Sequence, residues 1–210
     1  MIIMATLRER KSEIRRAAVA RVLGLERSRR ATEESGLLAL LPGLPGFSQA
    51  RTILLYVSAF PEEIATRPYI ARCLESSCKV VLPRINRTTG MLTLHRITSF
   101  TDDLRAGALG ILEPRKSAPL VDPDEVDWAL VPGLAFDAQR RRVGRGAGYY
   151  DRLLPTLRPD AAKIALILEA QWVDEIPVEA HDVSLDAVVS CSRVALGPHS
   201  GATVTTGGSE

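Results

Sequence analysis

The sequence predicts an α/β protein: an open, mostly parallel sheet flanked by helices, with a helical N-terminal lead. Strand, helix and strand follow one another within about 30 residues from residue 53 onward, which is typical of a βαβ unit with parallel strands. Apolar residues at helical spacing precede this unit. Short runs rich in Val, Leu and Ile, each of strand length, recur at residues 53–57, 80–82, 128–131, 163–168 and 186–190.

The N-terminal lead is predicted as a helix over residues 7–24, and Gly24 is a typical end signal. A second, short helix is expected over residues 35–41, where Pro42 stops it. The apolar stripe that predicts the first helix consists of Ile14, Ala18, Val22 and Leu25.

The run at residues 53–57 is continuous, as in a strand that is buried on both faces. A loop follows, and then a helix is predicted over residues 66–77 with Thr66 as its N-cap. The next strand, over residues 80–82, is expected to end at Pro83. These three elements form the predicted βαβ unit.

Residues 91–97 alternate between apolar and polar after a turn at residues 86–90, and therefore predict a further strand. A helix beginning near Tyr149 separates the strand-like runs at 128–131 and 163–168. Strands that alternate with helices in this way favour the open α/β sheet.

The length of 210 residues suits one domain, and 46% hydrophobic and 25% charged residues are ordinary for a globular protein. We expect residues 1–196 to form a single domain. Residues 197–210 are mostly Gly, Ser and Thr, and we expect a disordered tail there. The longest apolar stretches fall far short of the ~20 residues of a membrane span, so we expect a cytoplasmic protein without a membrane partner.

The charge is unevenly distributed. The formal net charge of +2 makes no case for nucleic acid, but residues 1–30 hold nine Lys or Arg against three Glu, so an anionic ligand is expected near that end. Cys73 and Cys78 have the spacing of a metal-binding pair, yet neither a second pair nor a nearby histidine completes a site. We interpret them, with Cys191, as structural thiols.

The most informative segment is the glycine loop, residues 144–148, which follows a predicted strand and opens a helix. Its three alternate glycines let backbone N–H groups approach phosphate oxygens, and the helix N-terminus adds a favourable dipole. Arg142 and Arg145 supply cations that can grip phosphate. The loop matches neither a Walker A motif nor a GxGxxG turn, which disfavours P-loop and dinucleotide-binding proteins. The alternative is a flexible, solvated loop.

Several acidic residues could hold a hard cation. Asp151 follows the glycine loop and could bind Mg²⁺ together with nucleotide phosphates, or it could simply complement the helix dipole. A second acid would come from Asp182 or Asp186, just before the last strand-like run. His181 has no nucleophile beside it that would make a catalytic pair.

Other charged residues have both a functional and a plain interpretation. Glu63, in the loop after the first strand, could orient a ligand at the carboxyl end of the sheet or could be solvated. Lys11 and Arg15 lie four residues apart on one helix face. They could reach the glycine loop, or they could form a solvated face.

These residues and their order resemble the 5-formyltetrahydrofolate cyclo-ligase family, also called 5,10-methenyltetrahydrofolate synthetase, from about residue 11 to residue 190. The most specific part is residues 132–137 followed by 142–152. Supporting matches are Lys11 with Arg15 and residues 63–66, 82–84, 110–114 and 181–186.

The resemblance implies ATP- and Mg²⁺-dependent cyclisation of 5-formyltetrahydrofolate to 5,10-methenyltetrahydrofolate, with release of ADP and phosphate. ATP would phosphorylate the formyl oxygen, N10 would attack the formyl carbon, and phosphate would leave. No dedicated nucleophile is expected.

The resemblance also implies roles for individual residues. The ATP-binding set is Lys11, Arg15, Arg142, Gly144, Arg145, Gly146, Gly148, Tyr149 and Tyr150. The folate-binding set is Glu63, Arg145, Gly146, Gly148 and Tyr149. Mg²⁺ would be held by Asp151 and Asp186.

One position departs from the family pattern, because the family usually has glycine where this chain has Arg140. If φ is positive there, arginine costs on the order of 1 kcal/mol. The alternative function is a catalytically impaired, family-like module that binds folate or nucleotide. An RNA-binding accessory protein is disfavoured because the aromatic residues are few and scattered. We expect a monomer without a nucleic-acid partner, and the joint presence of Asp151 and Asp186 favours the enzyme.

Overall fold

The computed structural model describes residues 6–107, 110–179 and 182–198. Within these residues the α-helices are α1 Leu7–Leu23, α2 Arg27–Leu40, α3 Arg67–Leu74 and α4 Tyr149–Leu153. The strands are β1 Thr52–Leu54, β2 Lys79–Asn86, β3 Met91–Ile97, β4 Leu104–Ala106, β5 Leu112–Pro114, β6 Leu120–Val121, β7 Trp128–Leu130, β8 Ala135–Phe136, β9 Arg142–Val143, β10 Ala162–Leu166, β11 Ala187–Val189 and β12 Val194–Leu196.

One sheet of eight strands forms the centre, in the order β12-β11-β10-β7-β1-β2-β3-β6. Its middle five strands are parallel to one another. At one side β12 pairs antiparallel with β11. At the other side β3 pairs antiparallel with β2, and β6 pairs antiparallel with β3. Short hairpins β4–β5 and β8–β9 stand apart from it. The predicted open, mostly parallel sheet with a helical N-terminal lead is confirmed. None of the described helices is long and apolar enough to cross a membrane.

The core lies on both faces of this sheet. Successive strand residues point to opposite faces, so Ile53 packs with α2 and α3 while Leu54 packs with the segment after α4. A smaller cluster joins α1 to the β8–β9 hairpin through Ala18 and Val143, which are 0% and 2% exposed. This contact fixes where α1 lies relative to the glycine loop.

The helix α2 begins eight residues earlier than predicted. Its first half carries almost no apolar residues, so the hydrophobic pattern gives no sign of it. Ion pairs at helical spacing, Arg29–Glu33 and Arg30–Glu34, support that half instead.

The predicted end of β2 is wrong. Pro83 does not end β2 but pairs with Leu94 inside it. Since β1 stops pairing with β2 at Val81, the proline lies where β2 has a neighbour on one side only, and proline is tolerated there. Thr66 is the N-cap residue of α3, as predicted, but its hydroxyl makes no capping hydrogen bond and instead accepts one from Ser58 N at 2.8 Å.

The strand runs at residues 128–131, 163–168 and 186–190 are confirmed, each slightly shorter than predicted. Strands β4, β5, β6, β8, β9 and β12, of two or three residues each, are too short to give a periodic signal. The predicted tail lies outside the described residues beyond residue 198. Of the three thiols, Cys73 is buried, whereas Cys78 and Cys191 are half-buried.

Arg140, in the turn of the β8–β9 hairpin, has φ 64°, the left-handed conformation that favours glycine. Its side chain donates to the carbonyl oxygens of Leu185 at 3.0 Å and Leu196 at 3.2 Å. These bonds, which glycine could not make, offset the backbone cost.

We therefore predict an order of stability at this position. Arg140→Ala keeps the left-handed backbone and loses both side-chain bonds, whereas Arg140→Gly loses the bonds but relieves the strain. Arg140→Gly should unfold with a free energy about 1 kcal/mol higher than Arg140→Ala, measured by urea denaturation. An alanine variant that equals the glycine variant would contradict the left-handed assignment.

Candidate functional site

A cavity of about 300 Å³ lies beyond the carboxyl ends of the central parallel strands. Tyr56 and Val57, just after β1, and Pro132, just after β7, line it. Open α/β sheets bind their ligands in this crevice. One wall is apolar and is formed by residues that include Val57, Phe60, Ile85, Leu92, Ile111, Leu112 and Leu134.

The glycine loop also lines the cavity. Gly146 and Gly148 have φ 103° and 67°, conformations that side-chain-bearing residues rarely adopt, so the loop can form only because glycine stands there. All of residues 144–151 line the cavity. The following helix α4 has only five residues, so its dipole adds less than the sequence suggested.

Four cations reach this cavity, namely Lys11, Arg15, Arg142 and Arg145, and we call them the cation cluster. Arg15 contacts the glycine loop directly, since its Nε donates to Gly144 O at 2.8 Å. Among the described residues, Arg15 is the member of the cluster without a carboxylate ion pair. The interpretation of Arg15 as part of a solvated helix face is therefore wrong.

Lys11 is placed differently. It is 7% exposed, and its Nζ lies 2.7 Å from a Glu179 carboxylate oxygen and 2.6 Å from one of Asp182. Burial alone would lower the pKa of Lys11, but the hydrogen bonds to Asp182 and Glu179 outweigh it and hold that pKa above its ordinary value. The expectation that Lys11 leans on the glycine loop is wrong, although Lys11 does line the cavity.

The buried Arg142 forms an ion pair with the half-buried Asp151, with Nη2 2.5 Å from Oδ1. Burial lowers the pKa of Arg142, and the charges of Asp151 and Asp182 oppose that shift. The Nε of Arg142 and the hydroxyl of Tyr150 are buried with no hydrogen-bond partner in the described part of the chain. Both residues line the cavity, so polar groups are left for a ligand to satisfy.

Arg145 crosses from the glycine loop to the loop after β1. Its guanidinium lies 3.4 Å from the ring centre of Phe60, and its Nη2 lies 2.7 Å from Glu62 Oε1. Glu63 is 3.5 Å away and also accepts a hydrogen bond from Ala59 N. Glu63 lines the cavity, as its predicted role requires. Sequence reasoning missed Glu62, because adjacent glutamates give no sign of which one faces which partner.

A second missed carboxylate is Glu113, which lines the cavity at 3% exposure. Its Oε1 accepts from Ile85 N at 3.3 Å, and Arg84 lies 3.5 Å away. The resemblance of residues 110–114 to the family motif was the signal that could have found it.

The structure does not bring Asp186 to the cavity. Asp186 lies at the amino end of β11, and its carboxylate accepts from Lys163 N at 2.8 Å. Asp182, the other candidate considered, binds Lys11 and acts on Arg142, which pairs with Asp151. Asp182 does not line the cavity either, and the role of Asp186 as a metal ligand stays a prediction.

Comparisons with known proteins show which family the chain belongs to. A model of the 5-formyltetrahydrofolate cyclo-ligase family matches residues 7–191. The 5-formyltetrahydrofolate cyclo-ligase of Mycolicibacterium smegmatis is 34% identical over 188 residues, 87% of this chain and 94% of that protein. The protein of that name from Escherichia coli K12 is 30% identical over 152 residues, 71% of this chain and 83% of that one.

A solved structure has the same fold. The NMR structure of 5,10-methenyltetrahydrofolate synthetase from Aquifex aeolicus superposes with a TM-score of 0.77 at 30% identity. The match covers 89% of this chain and 92% of the other.

Proposed function

Because the chain belongs to the 5-formyltetrahydrofolate cyclo-ligase family, we propose that it closes the ring of 5-formyltetrahydrofolate to 5,10-methenyltetrahydrofolate with ATP and Mg²⁺, releasing ADP and phosphate. The observation that carries the proposal is that the cation cluster and a set of apolar residues line the same cavity. Phosphates and a flat, largely apolar ring system need opposite surroundings, and this cavity offers both.

The reaction needs positioning and charge neutralisation rather than a nucleophile from the protein. The formyl oxygen is a poor leaving group until a phosphoryl group is transferred to it, after which N10 attacks the formyl carbon and phosphate departs. Arg15, Arg145 and the backbone of the glycine loop would hold the phosphates, and Arg142 would offset the charge that develops as the phosphoryl group is transferred. The apolar wall, with Glu63 at its rim, would orient the folate.

The residues of the cavity fit a magnesium ion that arrives with the nucleotide. Among the described residues there is no cluster of three or more His, Cys, Asp or Glu that could hold a metal alone. A nucleotide-bound Mg²⁺ needs only one or two carboxylates, because it keeps several waters. Asp151 lines the cavity and would supply one of these oxygens. Asp182, whose charge acts on the same Arg142, would supply a second, and the ion would neutralise phosphate charge.

The test is an ATP-dependent assay of the purified chain with 5-formyltetrahydrofolate, following the methenyl product by its near-ultraviolet absorbance. We expect product formation with one ADP released per product. Folate or ATP binding without product under any divalent metal would favour the alternative, a binding module that has lost turnover.

Arg15 provides a sharper prediction. Arg15→Ala should raise the KM for ATP about tenfold to over a hundredfold, the effect of losing one charge-assisted contact. Arg16→Ala is the matched control, since Arg16 is exposed one position along the same helix. Equal, small effects of the two substitutions on the KM for ATP would contradict the placement of Arg15 against the phosphates.

The Mg²⁺ dependence of turnover distinguishes carboxylates that bind the ion from those that do not. Asp151→Asn and Asp182→Asn should raise the Mg²⁺ concentration for half-maximal turnover about tenfold. Asp186→Asn should leave the Mg²⁺ dependence of turnover unchanged, because the Asp186 carboxylate accepts a hydrogen bond from Lys163 N in β10. A shift in Asp186→Asn as large as in Asp151→Asn would restore Asp186 as a ligand.

A further inference from the structure

Glu62 is a buried carboxylate that the proposed mechanism does not use. It is 6% exposed, follows the turn after β1, and does not line the cavity. Its Oε1 forms an ion pair with Arg145 Nη2 at 2.7 Å. Burying an unpaired carboxylate is energetically costly, so the ion pair with Arg145 accounts for Glu62 at this buried position.

Arg145 is held on two sides. The guanidinium carbon lies 3.4 Å from the ring centre of Phe60, and this stacking fixes the plane of the guanidinium. The Nη2 of Arg145 donates a hydrogen bond to Glu62. The Nε edge lies 3.5 Å from Glu63, a longer contact. An arginine presents five N–H donors in a rigid fork, so donors remain after these contacts. Arg145 lines the cavity with a side chain only 36% exposed.

We propose that Glu62 is a positioning residue that fixes the guanidinium of Arg145 over Phe60, so that its remaining donors face a phosphate group in the cavity. This inference rests on the proposed function, because the anion concerned is a nucleotide phosphate. Without Glu62 the long arginine side chain regains rotamer freedom, and each contact to phosphate must then overcome that entropy.

The experiment is a double-mutant cycle on the full chain. Glu62→Gln keeps the size of the side chain and removes its charge. We expect it to raise the KM for ATP about tenfold while kcat changes less than about twofold. Arg145→Ala should raise the KM at least as much, and Glu62→Gln should add nothing in the Arg145→Ala background, because the two residues act as one unit.

Glu33→Gln is the matched control. Glu33 is also a buried glutamate, 8% exposed and paired with an arginine, but it lies in α2 and does not line the cavity. It should lower the thermal midpoint without moving the KM for ATP. Glu62→Asp, too short to hold the same contact, should give an intermediate KM even if Glu62→Gln fails to fold.

An unchanged or lower KM in Glu62→Gln or Glu62→Asp overturns the proposal. An effect of Glu62→Gln that persists undiminished in the Arg145→Ala background also overturns it. Calorimetric titration measures ATP affinity without turnover and therefore tests the positioning role separately from the proposed function. A parent chain that binds ATP but forms no product refutes the function alone, whereas equal ATP affinity of parent and Glu62→Gln refutes the positioning role.

Discussion

The cost of taking cations out of water is the constraint around which the cavity is arranged, because a buried charge is costly unless it is paired. Lys11 and Arg142 are 7% and 8% exposed. Carboxylates pair with both of them and with Arg145. The cations are therefore stable without a ligand, and a polyanion that enters must exchange with carboxylates or use the donors they leave.

A small apolar contact sets where one of those charges lies. Ala18 is fully buried against the β8–β9 hairpin, and only a small residue lets α1 approach so closely. Arg15 lies three residues before Ala18 and hence on the same side of the helix. Packing of α1 against Val143 thus delivers the guanidinium to Gly144, the next residue along the hairpin. The hydrophobic packing of Ala18 therefore determines where the positive charge of Arg15 lies.

The sequence predicts the sheet and the glycine loop well, because both have local signals. Runs such as residues 128–131 mark buried strands, and alternate glycines mark the loop. The partners of the charged residues could not be predicted, since they depend on distant segments. Lys11 and Arg15 share a helix face, yet one binds Asp182 and the other Gly144 O. Nor does the sequence near the last strand show that Asp182 pairs with Lys11 whereas Asp186 accepts from Lys163 N.

Arg140 makes hydrogen bonds that connect two distant segments of the fold. Its carbonyl oxygen accepts from Leu185 N, and its guanidinium donates to Leu185 O and Leu196 O. The hairpin that begins the glycine loop is thereby tied to the segment that carries Asp182. With glycine at this position the backbone would be relaxed, but the two carbonyl oxygens would lose their donor. The arginine therefore exchanges a local conformational cost of about 1 kcal/mol for a cross-link between the hairpin that carries Arg142 and the segment that carries Asp182.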